Sequence, residues 1–346
     1  MVEVAVVGAA GYAGIEAVRL VLGHPLMSLA LATSAGDAGR PIESVYPALA
    51  AATDLAFCAP DVDVIADSAQ VALLAVPHTA ALELAPALLA RGLTVIDLSA
   101  DYRLKDAAAY EAWYGVSHTS AELLASAVFG LPELDRTALP GAKLVACPGC
   151  YPTATVLAAL PTLESGLAAG TRIVVDAKSG VSGAGRSASP GTHYVSVNEA
   201  VAPYKVGSHR HTPEMEQALS AAAGHDISVI FAPHLVPMTR GLLSTVYIDV
   251  EDSFTAQEAV ELYHNRYRKE PFVHVHEDGV MPSTAEVRGT NRASIGVTVD
   301  ERTNTLIAAC AIDNLGKGAA GQAVQCLNAV LGYPETEGFD RPGPVV

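Results

Sequence analysis

Hydrophobic and polar positions in the first half of the chain alternate between strand-like and helix-like runs. Val2–Val7 is a short apolar, β-branched run, and a glycine-rich turn separates it from a helical run that ends at about Leu22. Further apolar runs with strand character follow at 28–32, 62–65, 71–76, 94–98 and 143–146, with a helical stretch at 79–91. Strands that alternate with helices predict a Rossmann-type doubly wound parallel α/β sheet.

The pattern changes from about Tyr151 onward. A helical run at 153–160 leads into a strand at 172–177, and a loop rich in glycine and serine follows at 178–186. The later strand runs are long and few, at 227–231, 242–250, 293–299 and 306–312. This order is typical of a second, α+β domain with a mixed or antiparallel sheet and helices on one of its faces.

Composition limits the classes of function. Half of the 346 residues are hydrophobic and the net charge is −16, which argues against nucleic acid or an anionic membrane surface as a partner. An anionic ligand must therefore be bound by a few placed lysines and arginines. We expect a cytoplasmic location for three reasons. The five cysteines are scattered, the opening strand leaves no room for a signal peptide, and there are no long apolar runs.

The turn after the first strand carries the pattern Gly8-x-x-Gly11-x-x-Gly14. Glycines between a strand and a helix allow a tight turn, close approach to a pyrophosphate and close helix packing, and the helix N-terminus attracts the anion. The alternative is an ordinary glycine-rich turn. The sequence predicts a dinucleotide site whose contacts here are Gly8, Gly11, Tyr12, Ala13 and Gly14.

The end of the second strand indicates which dinucleotide binds. An NAD site usually has an acidic residue there, whereas this strand ends in hydroxyls, including Ser34, with Arg40 nearby. A hydroxyl and a guanidinium suit a 2′-phosphate, so the pattern favours NADP. Asp37 argues the other way, because an inward carboxylate would repel that phosphate, and Arg40 has the alternative of being a solvated loop residue.

Carboxyl ends of parallel strands are where such sheets bind ligands. Pro77 follows one of these strands and is predicted to contact the cofactor, while His78 is interpreted as loop structure near it. Arg103 follows another strand and is a candidate anion contact. Its alternative is a salt bridge to Asp101 or Asp106.

Cys150 lies at a junction between a strand and a helix, after a Pro-Gly pair. Unpaired amides and the positive end of the helix dipole favour the nucleophilic thiolate, and the same amides can stabilise an oxyanion. The alternatives are a small buried hydrophobe or, with Cys147, a redox pair or half of a metal site. No second ligand pair at similar spacing exists, so no metal is predicted.

Taken together, the motifs resemble those of the N-acetyl-γ-glutamyl-phosphate reductase family over nearly the whole chain. The segments that carry the resemblance are 8–14, 97–103, 148–153, 178–186, 209–215, 233–241 and 314–322. Aspartate-semialdehyde dehydrogenases share the architecture and a catalytic cysteine but not this set of motifs. The resemblance implies an NADPH-dependent enzyme of arginine biosynthesis and a small acyl phosphate as its substrate.

The resemblance also assigns roles to residues. It implies that Cys150 is the nucleophile and His209, in a loop before a helix that Thr212 caps, is the acid/base. Substrate contacts are expected among Arg103, Lys178, Arg186, His211 and Arg240, and further cofactor contacts at Ser182, Gly183, Asn314 and Gly318. The roles of His211 and Glu214 stay open.

By the same resemblance, a C-terminal helix returns to the nucleotide domain. The expected domains are an NADP-binding one, 1–149 with about 315–346, and a catalytic and dimerisation one, 150–314. A homo-oligomer, dimer or tetramer, is expected. The implied reaction passes through a Cys150 thioester to N-acetylglutamate semialdehyde. A lysine-pathway reductase acting on a longer acyl phosphate, an aspartate-semialdehyde dehydrogenase and an NADP-binding redox sensor remain as alternatives.

Overall fold

The computed structural model describes residues 1–250, 254–339 and 343, and the chain divides into two compact units. The first contains Met1–Pro148 and the segment that starts at Ala319, and the second contains Gly149–Gly318. The sequence places the return to the first unit a few residues earlier, at about 315. Beyond residue 339, the predicted range lies outside the described residues apart from Gly343.

A parallel sheet forms the centre of the first unit. Its strands are β1 (Val2–Val7), β2 (Met27–Ala32), β3 (Val71–Leu74), β4 (Thr94–Asp97), β5 (Val128–Phe129) and β6 (Leu144–Ala146). The strand order is β2-β1-β3-β4-β6-β5 and every pairing is parallel. Val4 and Val6 pack into one apolar cluster, and Ala5 and Val7 into another. Burial on both faces explains why β1 is apolar from Val4 to Val7. The predicted Rossmann-type sheet is confirmed.

Helices connect these strands. They are α1 (Tyr12–Leu22), α2 (Ile42–Val45), α3 (Val62–Ser68), α4 (Ala81–Ala90), α5 (Ala107–Tyr114) and α6 (Ala121–Ser126). The strand predicted at 62–65 is wrong, because these residues form the first half of α3. The side chain of Asp61 accepts hydrogen bonds from the amides of Asp63 and Val64, which starts a helix there.

A mixed sheet with helices forms the second unit. Its elements are α7 (Cys150–Glu164), β7 (Arg172–Gly180), α8 (Tyr194–Val197), β8 (Ala202–Pro203), α9 (Thr212–Ala223), β9 (Ser228–Val236), β10 (Leu242–Asp249), α10 (Ala256–Tyr267), β11 (Val273–Val275), β12 (Ala293–Asp300) and β13 (Thr305–Ile312). The strand order is β11-β12-β13-β10-β7-β9-β8, with parallel pairing only for β11–β12 and β7–β9. The predicted mixed sheet is confirmed. A last helix, α11 (Gly321–Leu331), belongs to the first unit.

Helix α7 is the central helix of the second unit. It packs on β10 and β13, with α9 and α10 as neighbours, and its residues from Tyr151 to Leu163 are buried all round. Thr155 Oγ1 lies 2.8 Å from Ser244 Oγ, which ties the helix to β10. Within the described ranges, no helix has the length and apolar character needed to cross a bilayer.

Candidate active site

Cys150 is the first residue of α7. Gly149 is its N-cap, with the extended backbone angles φ −67° and ψ 161°, and α7 has neither a side-chain cap nor an acidic residue in its first turn. The Pro-Gly pair therefore lets the helix begin three residues earlier than the apolar run predicts. The half-buried thiol lies at the positive end of the helix dipole, where the thiolate is favoured.

Two close contacts flank the turn that carries Cys150. A Cβ on Gly318 would lie 2.7 Å from Cys150 Cβ, so the backbone of Gly318 lies directly against the nucleophile. A Cβ on Gly149 would lie 2.3 Å from His211 Nε2. Gly318 therefore needs glycine for steric reasons, whereas a side chain at position 149 would displace the His211 ring. This ring covers the backbone immediately before Cys150.

Glu214 holds the same turn from the first turn of α9. It is fully buried, and its Oε2 accepts a hydrogen bond from the amide of Gly149 at 3.1 Å. Its Oε1 lies 4.0 Å from His211 Nε2. The helix starts one residue earlier than predicted, because His211 is the N-cap and Thr212 the first helical residue.

His209 is buried among aromatic rings. Its ring centroid lies 4.7 to 5.6 Å from those of four neighbours, Tyr151, Tyr204, His211 and Phe231. Burial, aided by the nearby His211, lowers the pKa of His209 from 6.5 to about 3. The imidazole is therefore neutral near pH 7.

A backbone hydrogen bond fixes the tautomer of His209. The amide of His211 donates to His209 Nδ1 at 3.1 Å. Since Nδ1 is the acceptor, the proton of the neutral ring lies on Nε2. In this state His209 can donate a hydrogen bond to an oxygen but has no lone pair on Nε2 to accept a proton.

Two tyrosines whose rings pack against His209 are joined through their hydroxyls. Tyr204 donates to Tyr151 Oη at 3.1 Å, and Tyr151 donates to the carbonyl of His234 at 3.2 Å. Burial, with a smaller contribution from the charge of Cys150, raises the pKa of Tyr204 to about 12. Cys150 is therefore within electrostatic reach of Tyr204, whose ring touches His209.

The four predicted cationic substrate contacts have different surroundings. Lys178 Nζ lies 2.7 Å from Asp176 Oδ2, and the alternation along β7 places Lys178 on the face opposite α7. Arg186 is exposed after a short 3₁₀ turn at Val181–Ala184. Arg240 forms a salt bridge with Asp313, and Arg103, in the first unit, is buried and donates to the carbonyl of Leu98. None of these placements tests a substrate contact directly, so these assignments stay predictions.

The glycine-rich turn of the first unit fits a dinucleotide. Gly8 has φ +81°, and a Cβ there would lie 2.4 Å from the carbonyl oxygen of Ala75. A Cβ on Gly14 would lie 2.3 Å from the carbonyl oxygen of Gly8, which shows how closely α1 packs on the turn. Helix α1 has no side-chain cap and no acidic residue in its first turn. This start of α1, with Gly11, Tyr12 and Ala13, suits a pyrophosphate.

The residues expected near the ribose phosphate form one small group. Ser34 is buried and its Oγ accepts from the amide of Asp37, while Asp37 Oδ1 lies 2.7 Å from Arg40 Nη1. Arg40 therefore compensates the charge of Asp37 and still exposes about half of its side chain, 53%. Pro77 is exposed after β3, near the carboxyl edge of the sheet.

The cofactor contacts predicted in the second unit also come together. Asn314 Nδ2 donates to Ser182 Oγ at 2.8 Å, and Asn314 Oδ1 accepts from the amide of Gly241 at 2.8 Å. Gly183 is exposed beside them, and a Cβ there would lie 3.1 Å from Ser179 Oγ. Asn314 thus links two loops that are distant in sequence.

Sequence reasoning missed three members of the site. Tyr151 follows Cys150 directly and lies inside a motif that carries the resemblance, so its position in the sequence could have identified it as a residue of the site. Asp313 precedes another such motif. Tyr204 has no signal of its own, because only the fold of the loop before His209 brings it to Tyr151.

Family models match both units. One described as the semialdehyde dehydrogenase NAD binding domain matches residues 3–142, and one described as the semialdehyde dehydrogenase dimerisation domain matches residues 150–314. The chain is 49% identical over 343 residues to N-acetyl-gamma-glutamyl-phosphate reductase of Desulforudis audaxviator, with 99% of each chain covered. It is 47% identical over 348 residues to the protein of that name from Heliobacterium modesticaldum, again with 99% coverage of both.

Solved structures with the same fold are more distant in sequence. Aspartate semialdehyde dehydrogenase II from Vibrio cholerae, complexed with ASA, has a TM-score of 0.72 at 17% identity, covering 95% of this chain and 98% of its own. Aspartate semialdehyde dehydrogenase with NADP from Candida albicans has a TM-score of 0.70 at 13% identity, with the same coverages. At these identities the likeness establishes the fold alone.

Proposed function

Because the chain belongs to the N-acetyl-γ-glutamyl-phosphate reductase family, we propose that it reduces N-acetyl-γ-glutamyl phosphate to N-acetylglutamate 5-semialdehyde with NADPH, in arginine biosynthesis. The observation that carries the proposal is the position of Cys150 at the uncapped start of α7. A thiolate at a helix N-terminus suits attack on an activated acyl group.

The chemistry starts from Cys150. Its thiolate attacks the acyl carbon, a C–S bond forms, the C–O bond to phosphate breaks, and phosphate leaves with the electron pair. The Cys150 thioester accepts hydride more readily than a carboxylate does, which is the reason for covalent catalysis. Bound NADPH would supply that hydride. The hemithioacetal oxyanion then re-forms a carbonyl, the C–S bond breaks, and Cys150 returns as the thiolate.

His209 would act as a hydrogen-bond donor in these steps. Its Nε2–H suits a substrate oxygen that gains negative charge, either on the acyl group or on the departing phosphate. A bound phosphate dianion would also favour the charged form of the ring, because opposite charges stabilise each other. Proton transfer from His209 would then depend on substrate binding, and the free enzyme would not hold a charged histidine beside Cys150.

The cofactor contacts are proposed for each unit separately. In the first unit, Gly8, Gly11 and Gly14 with the start of α1 would bind the pyrophosphate, and Ser34 and Arg40 the 2′-phosphate. Ser182, Gly183, Asn314 and Gly318 are the proposed contacts near the nicotinamide. Gly318 also lies against Cys150, which supports the placement of this group near the reacting sulfur.

The test is phosphate-dependent reduction of NADP by the purified protein, measured with three semialdehydes. N-acetylglutamate semialdehyde is expected to give the highest kcat/KM, above the one-carbon-longer homologue and aspartate semialdehyde. A higher kcat/KM for either of the others would replace the proposed substrate. No turnover with any of them, together with NADPH binding, would favour the redox sensor.

We also propose that the protein is a homo-oligomer that pairs through the open face of its mixed sheet. Val174 and Ile230 are neighbours in register on this face and are 38% and 49% exposed. Tyr247, opposite Val174 on β10, extends the apolar stripe. Ile230→Asp should shift the mass in light scattering towards the monomer, whereas Val64→Asp, at an exposed valine of α3, should not. A monomeric wild-type protein would contradict the proposal.

The free state of the cysteines indicates the cellular compartment of the protein. None of the five, all of them among the described residues, is in a disulfide. Cysteines kept as thiols are typical of a reducing compartment, and we propose the cytoplasm on that basis.

A further inference from the structure

Asp313, directly after β13, accepts an unusual number of hydrogen bonds. It is fully buried. Arg240 Nε lies 2.9 Å from Oδ2 and Arg240 Nη2 lies 3.0 Å from Oδ1. The amides of Gly289, Leu315 and Gly316 donate to the same carboxylate at 2.6, 2.9 and 2.9 Å. One side chain therefore joins the Arg240 loop, the backbone at Gly289 and the turn that follows β13.

The turn held by Asp313 reaches the nucleophile. The amide of Gly318 donates to the carbonyl of Asp313 at 2.9 Å, which closes the turn from 313 to 318. The other end of this turn is the Gly318 backbone that lies against Cys150 Cβ. A change at Asp313 or Arg240 would therefore reach Cys150 through five residues of backbone.

The next residue extends the same arrangement. Asn314 binds the amide of Gly241 and the hydroxyl of Ser182. Gly241 has φ +118°, and it directly follows Arg240. Asp313 and Asn314 thus fix the Arg240–Gly241 loop from both sides, and they tie it to the loop that contains Ser182.

We propose that Asp313 is a positioning residue for Cys150 and that Arg240 is its structural partner rather than a substrate contact. Two nitrogens of the Arg240 guanidinium point at the carboxylate, the geometry in which arginine binds a carboxylate most strongly. The Asp313 side chain is fully buried and that of Arg240 is 22% exposed, so each stabilises a partner charge that is largely removed from water. This inference rests on the proposed function for its kinetic test and replaces the sequence-based assignment of Arg240.

The kinetic test compares Asp313→Asn, Arg240→Lys and the double variant with Arg302→Ala, which removes an exposed Arg–Asp pair of the same unit. Both single variants should lower kcat about 10- to 100-fold through misplacement of Cys150, with KM for the acyl substrate nearly unchanged. The double variant should be no worse than the poorer single variant, because both remove one interaction. Arg302→Ala should match wild type.

The opposite result would identify Arg240 as a substrate contact. In that case Arg240→Lys raises KM strongly, Asp313→Asn does not, and the two effects multiply in the double variant. Circular dichroism and NADPH binding check that each variant is folded. Should Asp313→Asn fail to fold, Arg240→Lys, which keeps the charge, still separates a loss of kcat from a rise in KM.

A second measurement needs no substrate. Iodoacetamide alkylation of Cys150 should become faster in Asp313→Asn and Arg240→Lys by a similar factor, because the turn that packs against Cys150 loosens. The pH midpoint of alkylation should stay the same, since the start of α7 is intact. Unchanged alkylation rates in both variants would overturn the inference. Lack of turnover in the wild type would count against the proposed function alone.

Discussion

The backbone of Gly318 lies so close to Cys150 that a methyl group at position 318 would stand 2.7 Å from Cys150 Cβ. Such a contact is not tolerated without movement of backbone on one side or the other. Gly318→Ala should therefore lower kcat about 100-fold, the cost of moving a catalytic group by roughly 1 Å. Steady-state kinetics measures this loss.

Gly191→Ala is the matched control for that change. Gly191 lies in the same unit, and a Cβ there would meet nothing within 4 Å. Activity equal to wild type in Gly191→Ala and a loss in Gly318→Ala would assign the effect to the contact with Cys150. Equal activity in both would show that the turn moves aside at little cost.

The two cysteines of the Cys-x-x-Cys pattern should respond differently to serine. Cys150→Ser should abolish turnover and keep NADPH binding, because a serine hydroxyl does not ionise readily and the Gly8–Gly14 turn is untouched. Cys147 is buried, and its hydrogen bond with Cys326, with burial as a further cause, raises the pKa of its thiol. Cys147→Ser should stay active. A similar loss in both variants, measured by turnover and by cofactor binding, would favour a redox pair.

Arg40 should set the preference for NADP over NAD. Arg40→Ala removes a cation and also the salt bridge to the Asp37 carboxylate. KM for NADPH should rise about 10- to 100-fold, the range for a lost hydrogen bond to a charged group, with little change for NADH. Arg40→Ala with Asp37→Asn should recover part of the loss. An equal loss with both cofactors would make Arg40 structural.

The hydrophobic pattern predicted those strands whose side chains are buried on both faces of the sheet. The run Val2–Val7 is apolar on both faces because helices cover both sides of the sheet, and this strand was found as expected. The run 62–65 is also rich in β-branched residues, yet it forms a helix because Asp61 caps it. A capping side chain decides between two structures that a four-residue pattern cannot separate.

The site was predictable in part because its motifs are local. Cys150, with the Pro-Gly turn before it, is visible in a few consecutive residues. Asp313 is different, since its partners Arg240 and Gly289 lie 73 and 24 positions away and only the sheet brings them together. For the same reason, the sequence shows the charge of Arg240 but not its partner Asp313.

His209 should be replaceable by a residue that keeps its outer N–H. The side-chain amide of glutamine reaches the place of Nε2, whereas alanine provides no donor. His209→Ala should lower kcat about 10²- to 10³-fold, the usual cost of losing a donor to a developing oxyanion. His209→Gln should retain clearly more activity. Single-turnover kinetics compares the rates of the two variants. A rate for His209→Gln as low as that for His209→Ala would contradict the donor role.

The low pKa of His209 should also appear in the stability of the protein. Burial lowers this pKa to about 3 in the folded state from 6.5. Between these pH values the unfolded chain binds a proton at His209 and the folded protein does not, so the free energy of unfolding falls as pH decreases from about 6.5 towards 3. The contribution of one such group is at most about 1.4 kcal/mol per pH unit.

Urea unfolding measures this effect. The free energy of unfolding of His209→Gln should decrease less over this pH window than that of wild type. His225→Gln, at an exposed histidine of the same unit, should follow wild type. A wild-type slope in His209→Gln would mean that the aromatic surroundings do not keep this histidine neutral.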